Sequence, residues 1–264
     1  MRNRRFTAAS ITVILITVSV VLAQAQSDGQ NKPYQQWTKA DVVKLLTDSP
    51  WAKTQTIRLQ RRSQVRAIAG QTSTVGGSIG GAPAVSNTGE LTSAEDPVDY
   101  KFTLRLRSSL PVRQAIVRLV QIDSQYDQMT PAQKSAFDSQ TRELLECPEC
   151  ADNYIISVGF GSSNAENIDL VYEWFRGQSV ESLKNYIYIA NDQGERRELS
   201  GFIAPKVQGD EAFFFFKRIG RNERPLLTPT SKKLLFRMSD ANARSVTNFD
   251  IDVTKLIVDG RVQF

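Results

Sequence analysis

YKFTLRLRSSLPVRQAIVRL, residues 100–119, changes period halfway along. Tyr100, Phe102, Leu104 and Leu106 alternate with Lys101, Arg105 and Arg107, the period-2 pattern of a half-buried strand. Pro111 then opens a helix at a position where its missing N–H costs nothing. Val112, Ile116, Leu119 and Val120 are expected to form the apolar face of that helix.

Downstream, Thr130-Pro131 starts another helix, with Phe137, Leu144 and Leu145 as its apolar residues. NYIISVGF (153–160) is a nearly continuous apolar run and reads as a central strand. Gly159-Phe160-Gly161 reads as a tight turn; a dinucleotide loop would need a glycine where Asn164 stands. Ser163 and Glu166 form a capping box for a helix carrying Ile168, Val171, Trp174 and Phe175, stopped by Gly177. The last third reads as an antiparallel meander. NYIYIA (185–190) and RRELSGFI (196–203) flank the turn Asn191–Gly194. EAFFFFKRI and KKLLFRM (232–238) follow, and FDIDVTKLIVDGRVQF reads as a short helical turn and a last strand. Asp210, Glu211, Lys217 and Arg218 bracket the four phenylalanines with gatekeeping charge.

Upstream, Thr54–Arg66 reads as a strand. Residues 67–98 are rich in Gly, Ser, Thr and Ala, with pairs at Gly76-Gly77 and Gly80-Gly81, and read as a long disordered insertion between two paired strands. Before it, WTKADVVKLLTDSPWAKT (37–54) holds a helix capped by Thr38 and Asp41. Val42, Val43, Leu45 and Leu46 are its apolar residues, and Ser49-Pro50 ends it. Trp37 and Trp51 bracket the helix and should pin it to the body. The expected class is α+β: a mostly antiparallel sheet, helices packed on one face and one long Gly/Ser-rich loop. A single domain is expected over 37–264, preceded by a mobile leader at 26–36.

Residues 1–25 read as a secretory signal. Arg2, Arg4 and Arg5 precede the apolar run Ala8–Leu22, and Ala23-Gln24-Ala25 is a small-x-small site with the cut before Gln26. The run spans about 15 residues, short of the ~20 of a bilayer-spanning helix, so an uncleaved membrane anchor is the rival reading. Cleavage removes three arginines and no acid, lowering the net charge from +5 to +2. That is too little for a nucleic-acid footprint. The expected location is periplasmic or secreted, with no membrane contact after cleavage.

Histidine is absent, which removes Ser-His and Cys-His catalysis and imidazole metal ligands. No serine begins an S-x-x-K motif, so a Ser-Lys dyad lacks support. Carboxylates such as Glu95, Asp96, Asp169 and Glu173 could pair for hydrolysis, but solvated charge is their ordinary state.

Cys147 and Cys150 are the only cysteines. A thioredoxin-type couple would sit at a helix N-terminus, where the dipole favours the thiolate. This pair follows a helix and stands among Glu143, Glu146 and Glu149, which disfavour it. Half a zinc site has too few ligands. A structural disulfide of the oxidising compartment is the preferred reading. Closing so small a loop contributes about 2 kcal/mol, enough to fix a turn.

The stretch 37–54, a Trp, a capped helix with a Leu pair and Ser-Pro-Trp, resembles the opening signature of a family of exported bacterial proteins typical of soil bacteria. That resemblance implies export and no assigned activity or catalytic residue. The expectation is a non-catalytic binding or structural component of the cell envelope, with no cofactor, whose partner is another envelope protein or ligand. The alternatives are an envelope thiol-disulfide oxidoreductase using Cys147 and Cys150, and a histidine-free carboxylate hydrolase.

Overall fold

A computed structural model describes residues 32–59, 98–228, 230–239, 246–258 and 261–264. The signal residues, Ala23, Ala25 and Gln26 among them, and nearly all of the Gly/Ser-rich stretch lie outside the described residues.

Near the start of the described residues is a 3-10 turn, Tyr34–Gln36, and Tyr34 packs edge-on to Trp37; most of the expected leader at 26–36 lies outside the described residues. Helix α1 (Lys39–Thr47) carries the expected capping box, Thr38 accepting from the Asp41 amide and Asp41 from the Thr38 amide. Those hydrogen bonds hold the Asp41 carboxyl below its usual range. Val42 and Leu46 are buried, but Val43 faces outward, because the 3.6-residue period cannot bring adjacent valines to one side. Both tryptophans pin the segment: Trp37 Nε1 donates to the Lys32 carbonyl and Trp51 Nε1 to that of Gln263.

Strands β1 (Ala52–Leu59), β2 (Val98–Leu106) and β3 (Asn153–Ser162) run antiparallel side by side. Between β2 and β3 lie α2 (Leu110–Asp123) and α3 (Pro131–Glu146). Of the expected face of α2, Val112 is buried and Ile116 and Leu119 pack half-buried against the core, and only Val120 turns outward. Val112, Ala115, Val117, Arg118 and Gln121 are buried, while Val120 is 42% exposed. After β3 come α4 (Ala165–Arg176) and the short α5 (Val180–Leu183). Ile168, Tyr172 and Phe175 bury on α4, whereas Trp174, expected inward, is exposed.

The last third supplies β4 (Ile187–Asn191), β5 (Arg196–Glu198), β6 (Gly201–Ile203), β7 (Ala212–Lys217), β8 (Lys233–Ser239) and β9 (Val246–Asp252). A 3-10 turn, Val253–Lys255, and the small pair β10 (Ile257–Val258) and β11 (Arg261–Val262) follow.

The α+β class and the antiparallel pairing are borne out. The partition is finer than one sheet: a five-stranded sheet, β1-β2-β3-β7-β6, and a four-stranded one, β5-β4-β8-β9. RRELSGFI is therefore two strands in two sheets. Ser200 makes the crossing by donating both its amide and its Oγ to the Phe215 carbonyl. Gly201 follows because a Cβ there would lie 3.1 Å from Phe215 Cβ.

β3 is the middle strand, as its apolar run requires. The predicted turn at Gly159–Gly161 is a correction: these residues continue β3, paired to β2 through Ser162. The inner face of the five-stranded sheet carries Leu104, Leu106, Tyr154, Ile156, Val158, Phe214 and Phe216, all at most 2% exposed. A chain of ring contacts, Phe160–Phe175–Phe214–Phe236–Phe249, ties β3, α4 and β7 to β8 and β9, so one core joins both sheets.

Candidate functional site

The two cysteines are joined as a disulfide, Cα atoms 5.4 Å apart. Cys147 caps the C-terminal end of α3 in the left-handed conformation, φ 45°, its amide donating to the Glu143 carbonyl. The helix dipole therefore presents its negative end to the sulfur. Two arginines remote in sequence clamp this corner. Arg218 Nε donates to the Cys150 carbonyl at 2.8 Å, and Arg113 Nη1 donates to the Leu145 carbonyl. Arg218 also stacks over the Tyr154 ring, 4.5 Å from its centroid. Burial pushes both guanidinium pKa values down, and Arg218 lowers that of Arg113 further. Both donate to main-chain carbonyls: Arg113 ties α2 to the end of α3, and Arg218, just past β7, ties that strand to the turn at Cys150.

The second cluster lies on the opposite face of the five-stranded sheet from the phenylalanine core. Arg105 and Arg107, placed by the alternation on the face opposite Leu104 and Leu106, reach across β3 toward β7. Arg105 Nη1 pairs with Glu211 Oε1, and its Nε donates to the Leu46 carbonyl at the end of α1. Arg107 sets its guanidinium 5.0 Å from the Phe213 centroid. Burial lowers the Arg107 pKa, opposed by Glu211 and assisted by Arg105. The crossing works because β3 is small on this face. Arg105 pairs across the ladder with Ser157, and a Cβ on Gly159 would stand 3.4 Å from Arg105 Nη1. Ser157 Oγ and Glu211 Oε2 are buried without a hydrogen-bond partner among the described residues.

The third arrangement is a concavity. A cleft of about 310 Å³ lies between the start of α1 (Trp37, Thr38, Lys39), α2 (Arg118, Gln121, Ile122) and the turn after α2 (Gln125, Asp127, Gln128). Gln125 turns the chain there in the left-handed conformation, φ 55°. Arg118 Nε donates to the Trp37 carbonyl at 3.1 Å. Its two terminal nitrogens reach Gln121 Oε1 and Asp127 Oδ2, each at 3.4 Å. Lys39 at the rim pairs with Asp123 at 2.9 Å. The clue in the sequence was two polar residues, Arg118 and Gln121, on the periodic face begun by Val112 and Ala115.

Of the carboxylates considered for hydrolysis, Asp169 and Glu173 are exposed on α4, and Glu95 and Asp96 lie outside the described residues. Among the described residues no group of three or more Cys, Asp or Glu side chains could hold a metal ion. None of the helices described is long and apolar enough to cross a membrane.

No family model and no curated protein matches the chain. Among solved structures it is similar to a crystal structure of a protein of unknown function from Burkholderia pseudomallei K96243, at 9% identity and a TM-score of 0.39, covering 57% of this chain and 74% of that one.

Proposed function

We propose that this is an exported, non-catalytic binding or structural component of the cell envelope, facing another envelope protein or ligand. The observation that carries the reading is the disulfide at the C-terminal end of α3. A crosslink of this kind forms in an oxidising compartment. Its place, at the negative end of a helix dipole and beside Glu143, Glu146 and Glu149, suits a fixed turn better than a thiolate nucleophile. The signal-like residues 1–25 and the likeness of residues 37–54 to exported bacterial proteins support the same reading.

The test is the intact mass of the protein recovered from the envelope fraction, after alkylation with and without prior reduction. The expected mass begins at Gln26, and the two thiols are blocked only after reduction. A chain retained in the cytoplasm, or thiols blocked without reductant, would sink the reading.

A further inference from the structure

We propose that the cleft between α1 and α2 binds a small molecule carrying a carboxylate, and that Asp127 holds the carboxylate's place while the cleft is free. This deepens the binding reading and rests on it.

The Arg118 side chain is 10% exposed, so its charge is largely removed from water. Such a cation normally faces a carboxylate in a two-pronged fork, at shorter range than neutral hydrogen bonds. Here the facing carboxylate is Asp127, whose side chain is 74% exposed and which touches one guanidinium nitrogen at 3.4 Å. The fork has five N–H donors, and its other contacts are Trp37 O at 3.1 Å and Gln121 Oε1 at 3.4 Å. A buried guanidinium held this loosely, at the wall of a cleft, is suited to exchange an exposed one-pronged partner for a two-pronged one. Lys39 at the rim is already paired with Asp123, so the charge left for an anion in the cleft is that of Arg118. The amides of Gln125 and Gln128 offer donors and acceptors to the rest of the ligand. Ile122 and Trp37 are the apolar lining, which favours a polar body over a fatty chain. The volume of about 310 Å³ is at the small end of ligand sites.

Calorimetric titration of the disulfide-intact mature protein with alanylalanine and with its C-terminal amide isolates the carboxylate, since the two probes differ only there. The acid is expected to bind on the order of tenfold tighter than the amide. Asp127→Ala removes the competitor from an exposed position and should tighten acid binding about two- to fivefold, the ceiling set by a surface ion pair. Arg118→Lys keeps the charge, loses the fork, and should erase the preference for the acid. Equal affinity for acid and amide, no binding of either at millimolar concentration, or a variant at Asp127 that binds the acid no tighter would each overturn the proposal. The alkylation mass does not depend on the cleft, so failure here is distinct from failure of the export reading.

Discussion

The two faces of the five-stranded sheet are closed in different ways. On the inner face, Ile156 and Val158 of β3 lie beside Phe214 and Phe216 of β7 under the rings of α4 and β8, and the one charged group met there is Arg218, over the Tyr154 ring at the strand's start. On the other face, Ser157 and Gly159 are covered by arginines that start at β2 and end at β7. The first closure is apolar burial, which grows with area and needs no particular partner. The second depends on a few directed contacts and fails wherever one partner is removed. Long arginine stems shield the strand while their heads find Glu211, the Leu46 carbonyl and the Phe213 ring. One strand thus has a core on one side and a network on the other.

Substitutions matched across the sheet set the two closures against each other. Phe214→Ala empties a fully buried ring site and should cost about 3–5 kcal/mol in urea unfolding, whereas Phe213→Ala on the half-buried side should cost about half as much or less. Equal losses would mean that the second face is as deeply packed as the first. Next in size, Glu211→Gln leaves Arg105, 16% exposed at its side chain, without its carboxylate and should cost about 1–3 kcal/mol. The double variant Glu211→Gln with Arg105→Gln should cost less than the two single losses together. Strict additivity would show that the pair is not coupled. Arg107→Ala removes a guanidinium stacked on one ring and should cost about 1 kcal/mol. Smallest is Gly159→Ala. Its Cβ meets only the movable end of Arg105 and the Glu211 side chain at ordinary distances, so stability should stay within about 0.5 kcal/mol. A large loss there would show that the arginine crossing is too tight to yield.

Periodicity made the inner face legible. Alternation in YKFTLRLR and the apolar run NYIISVGF place Leu104, Leu106, Ile156 and Val158 in the core, since burial leaves a repeating mark on sequence. The network face left no such mark. Arg105 and Glu211 are 106 residues apart, and an arginine that pairs reads the same as one in water. Gly159 illustrates the ambiguity, because a glycine before a capped helix reads as a turn. Here it continues β3 beneath the Arg105 guanidinium, where a Cβ would make only ordinary contact. RRELSGFI was misread for a related reason: both halves have strand character, and the sheet change at Leu199-Ser200 is a tertiary event. The disulfide could be read from the expectation of export and from the helix end. Its clamps, Arg113 and Arg218, could not, because each donates to a carbonyl and no residue type marks a carbonyl as an acceptor. The cleft was half legible: polar residues at core positions of α2 signal a satisfied buried group, but only the fold shows that the group borders open space.

The central claim is that Cys147 and Cys150 fix a corner and do not exchange electrons. The most direct test is the rate at which the reduced protein is alkylated by iodoacetamide as pH is raised from 5 to 10. With Cys147 at the C-terminal end of α3 and glutamates around it, the account predicts slow reaction at pH 6 and a rate that climbs only in the alkaline range, as for an unactivated thiol. Rapid labelling of Cys147 at pH 6, levelling off below neutrality, would contradict it and make the pair the reactive couple of an envelope oxidoreductase.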